Sequence, residues 1–296
     1  SARGPTRRTV EADALRRATD RLLERIETLA AITDEPGRLT RTYRSPAFDR
    51  AAQQLLTWFD GAGLDPWQDP LGNLRGTWTG HHPEAALWTG SHFDTVVNAG
   101  RFDGALGLLL SLAAIEVLRA RGGTPRRSLQ LVGFCDEEGV RFQTTFLGSA
   151  YLSGQFEAAW LTKTDANGIT LRACLEGAGV AVDTLDFSQP QLGPDDCFLE
   201  AHLEQGPVLE RQGTPTGVVS AIAAQQRWKL TFQGEAGHAG TTPAALRRDA
   251  LAAAAEYVLA VEAQMATIPG LRATVGQLTV APNVSNVIPE GVTATL

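Results

Sequence analysis

The chain has 296 residues, 43% hydrophobic and 20% charged, the balance of a folded globular protein with one large or two modest domains rather than a disordered one. Its 26 Lys and Arg stand against 33 Asp and Glu, and the net charge of -7 argues against a nucleic-acid or anionic-membrane surface and for a small-molecule partner. No run approaches the roughly 18 apolar residues of a spanning helix, and the opening segment lacks the apolar core of a secretory signal, so a cytoplasmic protein is expected.

In chain order, Ala14, Leu15, Ala18, Leu22, Leu23 and Ile26 recur at a helical period. Ser45-Pro46 supplies an N-cap and a first-turn proline for a helix over residues 47–62 that stops at Gly63. Apolar runs at 85–88 and 129–135 read as buried strands. Between them, a helix from about residue 106 to Gly122-Gly123 carries apolar side chains on too many faces for a surface element. Strands alternating with helices predict an α/β sheet. Past residue 211, strands are expected at 217–223, 228–232, 274–280 and 285–296, with a helix over 245–264 that starts at Thr242-Pro243. This order predicts a small α+β unit. Gln212-Gly213-Thr214-Pro215 has the turn chemistry of a junction, dividing the chain into domains at 1–211 and 212–296. The three cysteines, Cys135, Cys174 and Cys197, form no Cys-x-x-Cys pair and are expected to be buried and inert.

Several segments carry residues able to do chemistry. His92 falls at the carboxyl end of a predicted strand, where open α/β sheets place ligands, and Asp94 is placed to hydrogen-bond the imidazole. Asp103 precedes Gly104 and the next helix. Glu137 and Glu138 follow the second strand, and adjacent carboxylates pointing in different directions can serve as a cation ligand and a proton acceptor. His202 lies in a segment of alternating polarity. His92, Asp103, Glu138 and His202 are donors that suit Zn²⁺ or Mn²⁺ better than Ca²⁺ or a thiolate-preferring metal. Taken singly, each has a plainer reading as an Asp-Gly turn, a solvated acidic loop or a structural histidine. His238, in a Gly-rich loop, reads equally as an exposed loop histidine and as a donor to an oxyanion. His81 and His82 are assigned no function.

Together, Gly-Ser-His92-Phe-Asp94-Thr-Val, Gly-Arg-Phe-Asp103-Gly, Asp-Glu137-Glu138-Gly-Val-Arg-Phe, His202-Leu-Glu-Gln205-Gly-Pro, Gly-His238-Ala-Gly-Thr-Thr-Pro and Asn286-Val-Ile-Pro resemble the metal-dependent amidohydrolases of the peptidase M20 superfamily. The branch is that of allantoate amidohydrolases, N-carbamoyl-L-amino acid hydrolases and β-ureidopropionases. The resemblance implies a metal-dependent exopeptidase-like α/β catalytic domain, a mixed sheet flanked by helices, with an inserted α+β, ferredoxin-like lid and dimerisation domain. It implies two divalent ions, Mn²⁺ or Zn²⁺. His92, Asp103 and His202 would hold one, and Asp103 and Glu138 the other, with Glu137 as general base. It further implies that His238 stabilises the tetrahedral intermediate in a neighbouring subunit, that Asn286 binds the substrate carboxylate, that Gln205 lies beside the metals, and that the Asp103–Gly104 peptide is cis.

Ala244 and Glu290 depart from the family pattern at positions that carry no implied ligand. Relatives continue past this point through an Arg and a final His ligand, so a sequence ending at Leu296 is expected to be C-terminally truncated and one ligand short. The expected reaction is hydrolysis of allantoate to ureidoglycine, ammonia and carbon dioxide by a homodimer. An N-carbamoyl-L-amino acid is the alternative substrate, and a remnant that binds without hydrolysing is a second alternative.

Overall fold

A computed structural model describes residues 7–222 and 224–296, with side chains from residue 12 onward. The chain divides into two compact units, Ser1–Thr214 and Pro215–Leu296, the boundary falling inside the Gln212 to Pro215 turn.

The first unit opens with α1 (Arg7–Ala30) and α2 (Pro46–Gly61). Ser45 Oγ accepts a hydrogen bond from the Phe48 amide at 3.2 Å, and Pro46 follows in the first turn, so both predicted start signals operate. Ala47, Phe48, Ala51, Ala52, Leu55 and Phe59 bury one face of α2. Then come β1 (Asp65–Gln68), β2 (Leu74–Trp78), β3 (His82–His92), α3 (Ala105–Ala120) and β4 (Arg127–Phe134). The remainder holds α4 (Leu147–Ser153), α5 (Leu171–Gly177), β5 (Cys197–Leu199) and α6 (Val208–Gln212).

The sheet has the order β1-β2-β4-β3-β5. Its β1–β2 and β2–β4 pairs are antiparallel, whereas β3 runs parallel to both β4 and β5. The sheet is therefore mixed, and β3-α3-β4 is a crossover unit of the kind that parallel pairing requires. Leu108, Leu109, Leu112 and Ile115 of α3 join Ile26, Leu29, Phe48, Leu55, Leu74 and Leu131 in one buried cluster. The prediction that α3 is a core helix holds along this face, while Leu110 and Leu118 stay exposed.

The second unit contains β6 (Lys229–Gln233), β7 (Gly237–His238), α7 (Ala250–Thr267), β8 (Gln277–Ala281), β9 (Val287–Ile288) and β10 (Gly291–Thr295). β6-β10-β8 is antiparallel throughout, and Ala250 and Ala254 of α7 pack on Val292 of β10. β7 and β9 make a separate two-stranded ribbon.

Four expectations are corrected here. Residues 217–222 form no strand: Val218 and Ile222 are 98% and 92% exposed, and an apolar run without a partner edge satisfies none of its backbone groups. The final strand is broken after Ile288, because Pro289 cannot donate to a ladder. Thr242-Pro243 starts only a short 3-10 turn. The helix begins at Asp249, whose Oδ1 accepts from the Leu251 and Ala252 amides at 2.9 and 3.1 Å. Of the cysteines only Cys135 is buried, with Cys174 partly covered and Cys197 exposed on the edge strand.

Candidate metal centre

Because β4, β3 and β5 are mutually parallel, their carboxyl ends lie along one edge of the sheet. His92 is the last residue of β3, Glu137 and Glu138 lie in the loop after β4, and His202 is three residues past β5. Asp103 sits two residues before α3, which returns beneath β3. Donors far apart in sequence are thus delivered to one place by topology, as expected at the carboxyl edge of an α/β sheet.

The atoms converge closely. His202 Nε2 lies 3.4 Å and His92 Nε2 3.8 Å from Asp103 Oδ1, and His92 Nε2 lies 3.9 Å from Glu137 Oε2. The two 3.8–3.9 Å separations are too long for hydrogen bonds. They approach the spacing of donor atoms around a cation, since ligands about 2.1 Å from a tetrahedral ion stand about 3.4 Å from one another. Asp103 Oδ1 is buried and has no hydrogen-bond partner, a lone pair aimed at the gap between the imidazoles. His92, Asp103 and His202 form one ligand-like cluster, and His92, Glu137 and Glu138 a second that shares the first imidazole.

The histidine tautomers follow from their other nitrogens. His92 Nδ1 faces the Asp94 carbonyl oxygen at 3.1 Å and His202 Nδ1 faces the Leu203 carbonyl oxygen at 2.8 Å. A carbonyl only accepts, so each Nδ1 carries the proton and each Nε2 offers its lone pair to the gap. The donor set therefore suits a divalent cation of the Zn²⁺ or Mn²⁺ type.

Gly104 makes the approach of α3 possible. It adopts φ 64, and a Cβ there would strike the His92 ring at 2.5 Å. The Asp103–Gly104 peptide is trans, contrary to expectation; a cis bond before a non-proline residue costs about 2.5 to 4 kcal/mol.

Asp94 meets the imidazole through its backbone rather than its carboxylate. Its carboxylate stands 3.7 Å from His92 Nδ1, and its backbone oxygen takes the imidazole proton. The carboxylate instead brackets the acidic loop, Oδ1 accepting from the Glu137 amide at 3.1 Å and Oδ2 from the Glu138 amide at 3.2 Å. The register between β3 and β4 decides this, because it brings residue 94 level with the backbone that follows β4. Burial pushes the Glu137 and Glu138 carboxyls above the usual range, partly offset by His92, which is the direction a general base needs.

Gln205 Nε2 donates to Asp103 Oδ2 at 2.8 Å, leaving Oδ1 free. Gln205 therefore touches one of the candidate ligands, Asp103. An open cleft of about 720 Å³ leads to His92, Glu137 and His202 and is walled by Trp88, Phe134 and Trp160.

Two supporting residues had no sequence signal. Arg41 is fully buried: Nε donates to the Phe93 carbonyl at 2.7 Å and Nη1 to the Leu29 carbonyl at 2.7 Å, tying the end of α1 to the loop after His92. Burial lowers its pKa to about 10, opposed by Asp94 and Asp34. Asn73 is the other. No periodicity marks a single buried polar residue of this kind.

In the second unit, His238 and Asn286 are neighbours on the β7–β9 ribbon, His238 pairing with Val287 and the Ala239 amide donating to the Asn286 carbonyl at 3.0 Å. The Gly240 amide donates to His238 Nδ1 at 3.1 Å, so the neutral imidazole carries its proton on Nε2.

Comparison with known proteins agrees with this architecture. Residues 83–282 match the peptidase family M20/M25/M40. The chain is 38% identical over 94% of its length to an allantoate deiminase of Arabidopsis thaliana, covering 57% of that protein. It is 37% identical over 92% of its length to an N-carbamoyl-L-amino acid amidohydrolase of Geobacillus stearothermophilus, covering 67% of it. A crystal structure of a hydantoinase/carbamoylase family amidase from Burkholderia ambifaria superposes with a TM-score of 0.78 at 35% identity, over 93% of this chain and 67% of that one. The chain thus spans 57 to 62% of the length of the plant allantoate deiminases that it matches. No helix among the described residues is long and apolar enough to cross a membrane. With residues 83–282 matching the family and a relative 37% identical over 67% of its own length, the chain belongs to peptidase family M20/M25/M40.

Proposed function

We propose that the protein is a metal-dependent amidohydrolase that cleaves a ureido C–N bond, with allantoate as substrate and ureidoglycine, ammonia and carbon dioxide as products. The observation that carries this reading is the convergence of the His92 and His202 Nε2 atoms on the unpartnered Asp103 Oδ1, with Glu137 beside them. His92, Asp103 and His202 would hold one divalent cation, and Asp103 and Glu138 a second, Glu138 grouping with His92 and Glu137. When bound, such cations polarise a carbonyl and bring the pKa of water from 15.7 toward about 7.

Glu137 then takes a proton from the attacking water and returns it to the departing nitrogen, a task helped by a carboxyl whose pKa burial has raised. In the proposed dimer His238, protonated on Nε2, donates to the oxygen that gains charge in the active site of a neighbouring subunit, and Asn286 on the same ribbon binds the substrate carboxylate. The second unit is proposed as lid and dimerisation element. The runner-up substrate is an N-carbamoyl-L-amino acid, favoured by relatives of that name at nearly the same identity as the allantoate deiminases. Both substrates present a ureido group and a carboxylate.

Side-by-side turnover with Mn²⁺ supplied separates the two. Faster ammonia release from allantoate is expected, and faster hydrolysis of the carbamoyl amino acid overturns the substrate assignment. Cation binding without turnover of either compound is the outcome for a protein that binds and does not hydrolyse.

A further inference from the structure

Glu137 and Glu138 lie on a loop, residues 135–146, that is costly to hold in place. Asp136, Gln143 and Phe146 adopt φ of 47, 53 and 64, and Gly139 φ 63. Left-handed backbone is sterically disfavoured for residues other than glycine, so local preference opposes this path and contacts across and around the loop hold it. Asp94 holds the middle of the loop through the two glutamate amides.

Its two ends are joined by three backbone bonds, the Phe146, Leu147 and Gly148 amides donating to the Glu137, Asp136 and Cys135 carbonyls at 3.0, 3.2 and 3.1 Å, and both ends also bond one side chain outside the ligand set. Asn73, at the start of β2, is fully buried. Its Oδ1 accepts from the Cys135 amide at 3.0 Å, where the loop begins, and its Nδ2 donates to the Gly148 carbonyl at 3.0 Å, where the loop has passed into α4. The pairing of Leu74 with Gly133 brings the side chain there. Asp69 in turn fixes the amide: its Oδ2 accepts from Asn73 Nδ2 at 2.7 Å, while Oδ1 accepts from the Gly72 and Asn73 backbone amides, both at 2.9 Å. A Cβ on Gly148 would fall on Asn73 Oδ1, so the glycine leaves the space that the amide fills.

We propose that Asn73, oriented by Asp69, is a positioning residue that clamps both ends of the acidic loop and thereby sets where the Glu137 and Glu138 carboxylates stand relative to His92. Its effect on cation binding rests on the reading of that cluster as a metal centre. Its effect on the loop does not. Only an amide supplies both an acceptor for Cys135 and donors for Gly148 and Asp69 from one planar group. Asn73→Asp sets carboxylate oxygens against Asp69 Oδ2 and the Gly148 carbonyl. The exchange D69N/N73D restores an amide–carboxylate pair and the Cys135 bond but leaves a carboxylate oxygen against the Gly148 carbonyl, so it repairs the first end of the loop and not the second.

The experiment combines amide hydrogen exchange on the metal-free 296-residue chain with calorimetric titration of Mn²⁺, for wild type, N73D and the exchange variant. Protection across residues 135–148 is expected to fall at least tenfold in N73D, with the rest of the first unit little changed, and in the exchange variant to return to within about threefold of wild type at residues 135–138 but not at 146–148. Exchange that rises uniformly, or not at all in the loop, overturns the proposal. In a wild type that binds Mn²⁺, affinity should weaken at least tenfold in N73D, following the 10- to 100-fold effects typical of residues that orient ligands. Unchanged affinity overturns the proposed control of the carboxylates. A wild type that binds no cation overturns the metal-centre reading, and the exchange pattern still decides the clamp. Asp69→Asn, an isosteric change, serves if N73D does not fold: the same loop-confined loss of protection is expected, and its absence counts against the clamp.

Discussion

Each ligand-type side chain at the sheet edge is held by a group that does not itself face the gap. The Asp94 and Leu203 carbonyls select the imidazole tautomers, Gln205 takes one oxygen of Asp103, and the Asp94 carboxylate carries the glutamate backbone. The proposed function divides ligand duty from proton transfer, giving the second to Glu137, and two substitutions test that division. Glu137→Gln removes the proton acceptor at nearly constant shape, so turnover should fall by at least 100-fold while Mn²⁺ content by elemental analysis stays at the wild-type level. A variant that keeps its rate removes Glu137 as base. Gln205→Ala frees Asp103 Oδ2, and cation affinity by titration should weaken about 10-fold or more. Equal affinity would mean that the carboxylate is aimed without it. The ligand candidates were legible because His, Asp and Glu at predicted strand ends are chemically conspicuous. The roles of Asn73 and Arg41 were not, since their contacts with the Cys135 amide and the Phe93 carbonyl are to backbone atoms far along the chain.

At the scale of elements, the short edge strand β5 matters because His202 follows it. Three residues pair with β3, and Phe198 and Leu199 are exposed, so the ladder alone holds it weakly. Asp196 reinforces it, accepting from the Ala86 amide at 2.6 Å, Trp88 Nε1 at 2.8 Å and the Gly193 amide at 2.9 Å. Partial burial pushes this carboxyl up, but the three hydrogen bonds and nearby Arg127 outweigh it and hold the pKa below the usual carboxylate range. A depressed folded-state pKa means that the ionised group stabilises the fold above the ordinary carboxylate pKa and that this contribution is lost as pH falls through the depressed value. Asp196→Ala should therefore cost about 1 to 2 kcal/mol at pH 7, limited by solvent screening, with the gap to wild type narrowing below about pH 4. Thermal unfolding at both pH values checks this, and a gap independent of pH refutes the ionic account. Helix starts at Ser45-Pro46 were readable because capping is local chemistry. The expected strand over 217–223 failed over its described residues because apolar character does not supply a partner edge.

For the whole molecule, residues 215–222 and 224–228 lack regular structure and are exposed. The first unit carries its own large apolar cluster, centred on residues such as Phe48, Leu74, Leu108 and Leu131, and the second a small one around Ala250, Ala254 and Val292. Brief trypsin treatment should cut first at Arg211 or Arg227 and leave a fragment of the first unit that resists further digestion. Early cleavage within α2 or α3 instead would contradict the independence of that core. By itself the sequence determined the element types, the α/β character, the identity of the ligand-type residues and the family, because these depend on side-chain chemistry, local period and order along the chain. Only the tertiary structure decided which nitrogen each histidine presents, which oxygen of Asp103 is left free, and that Asp94 serves the glutamate loop more than the imidazole. Those outcomes depend on strand register and on contacts between residues many positions apart, and a linear string of side chains carries neither.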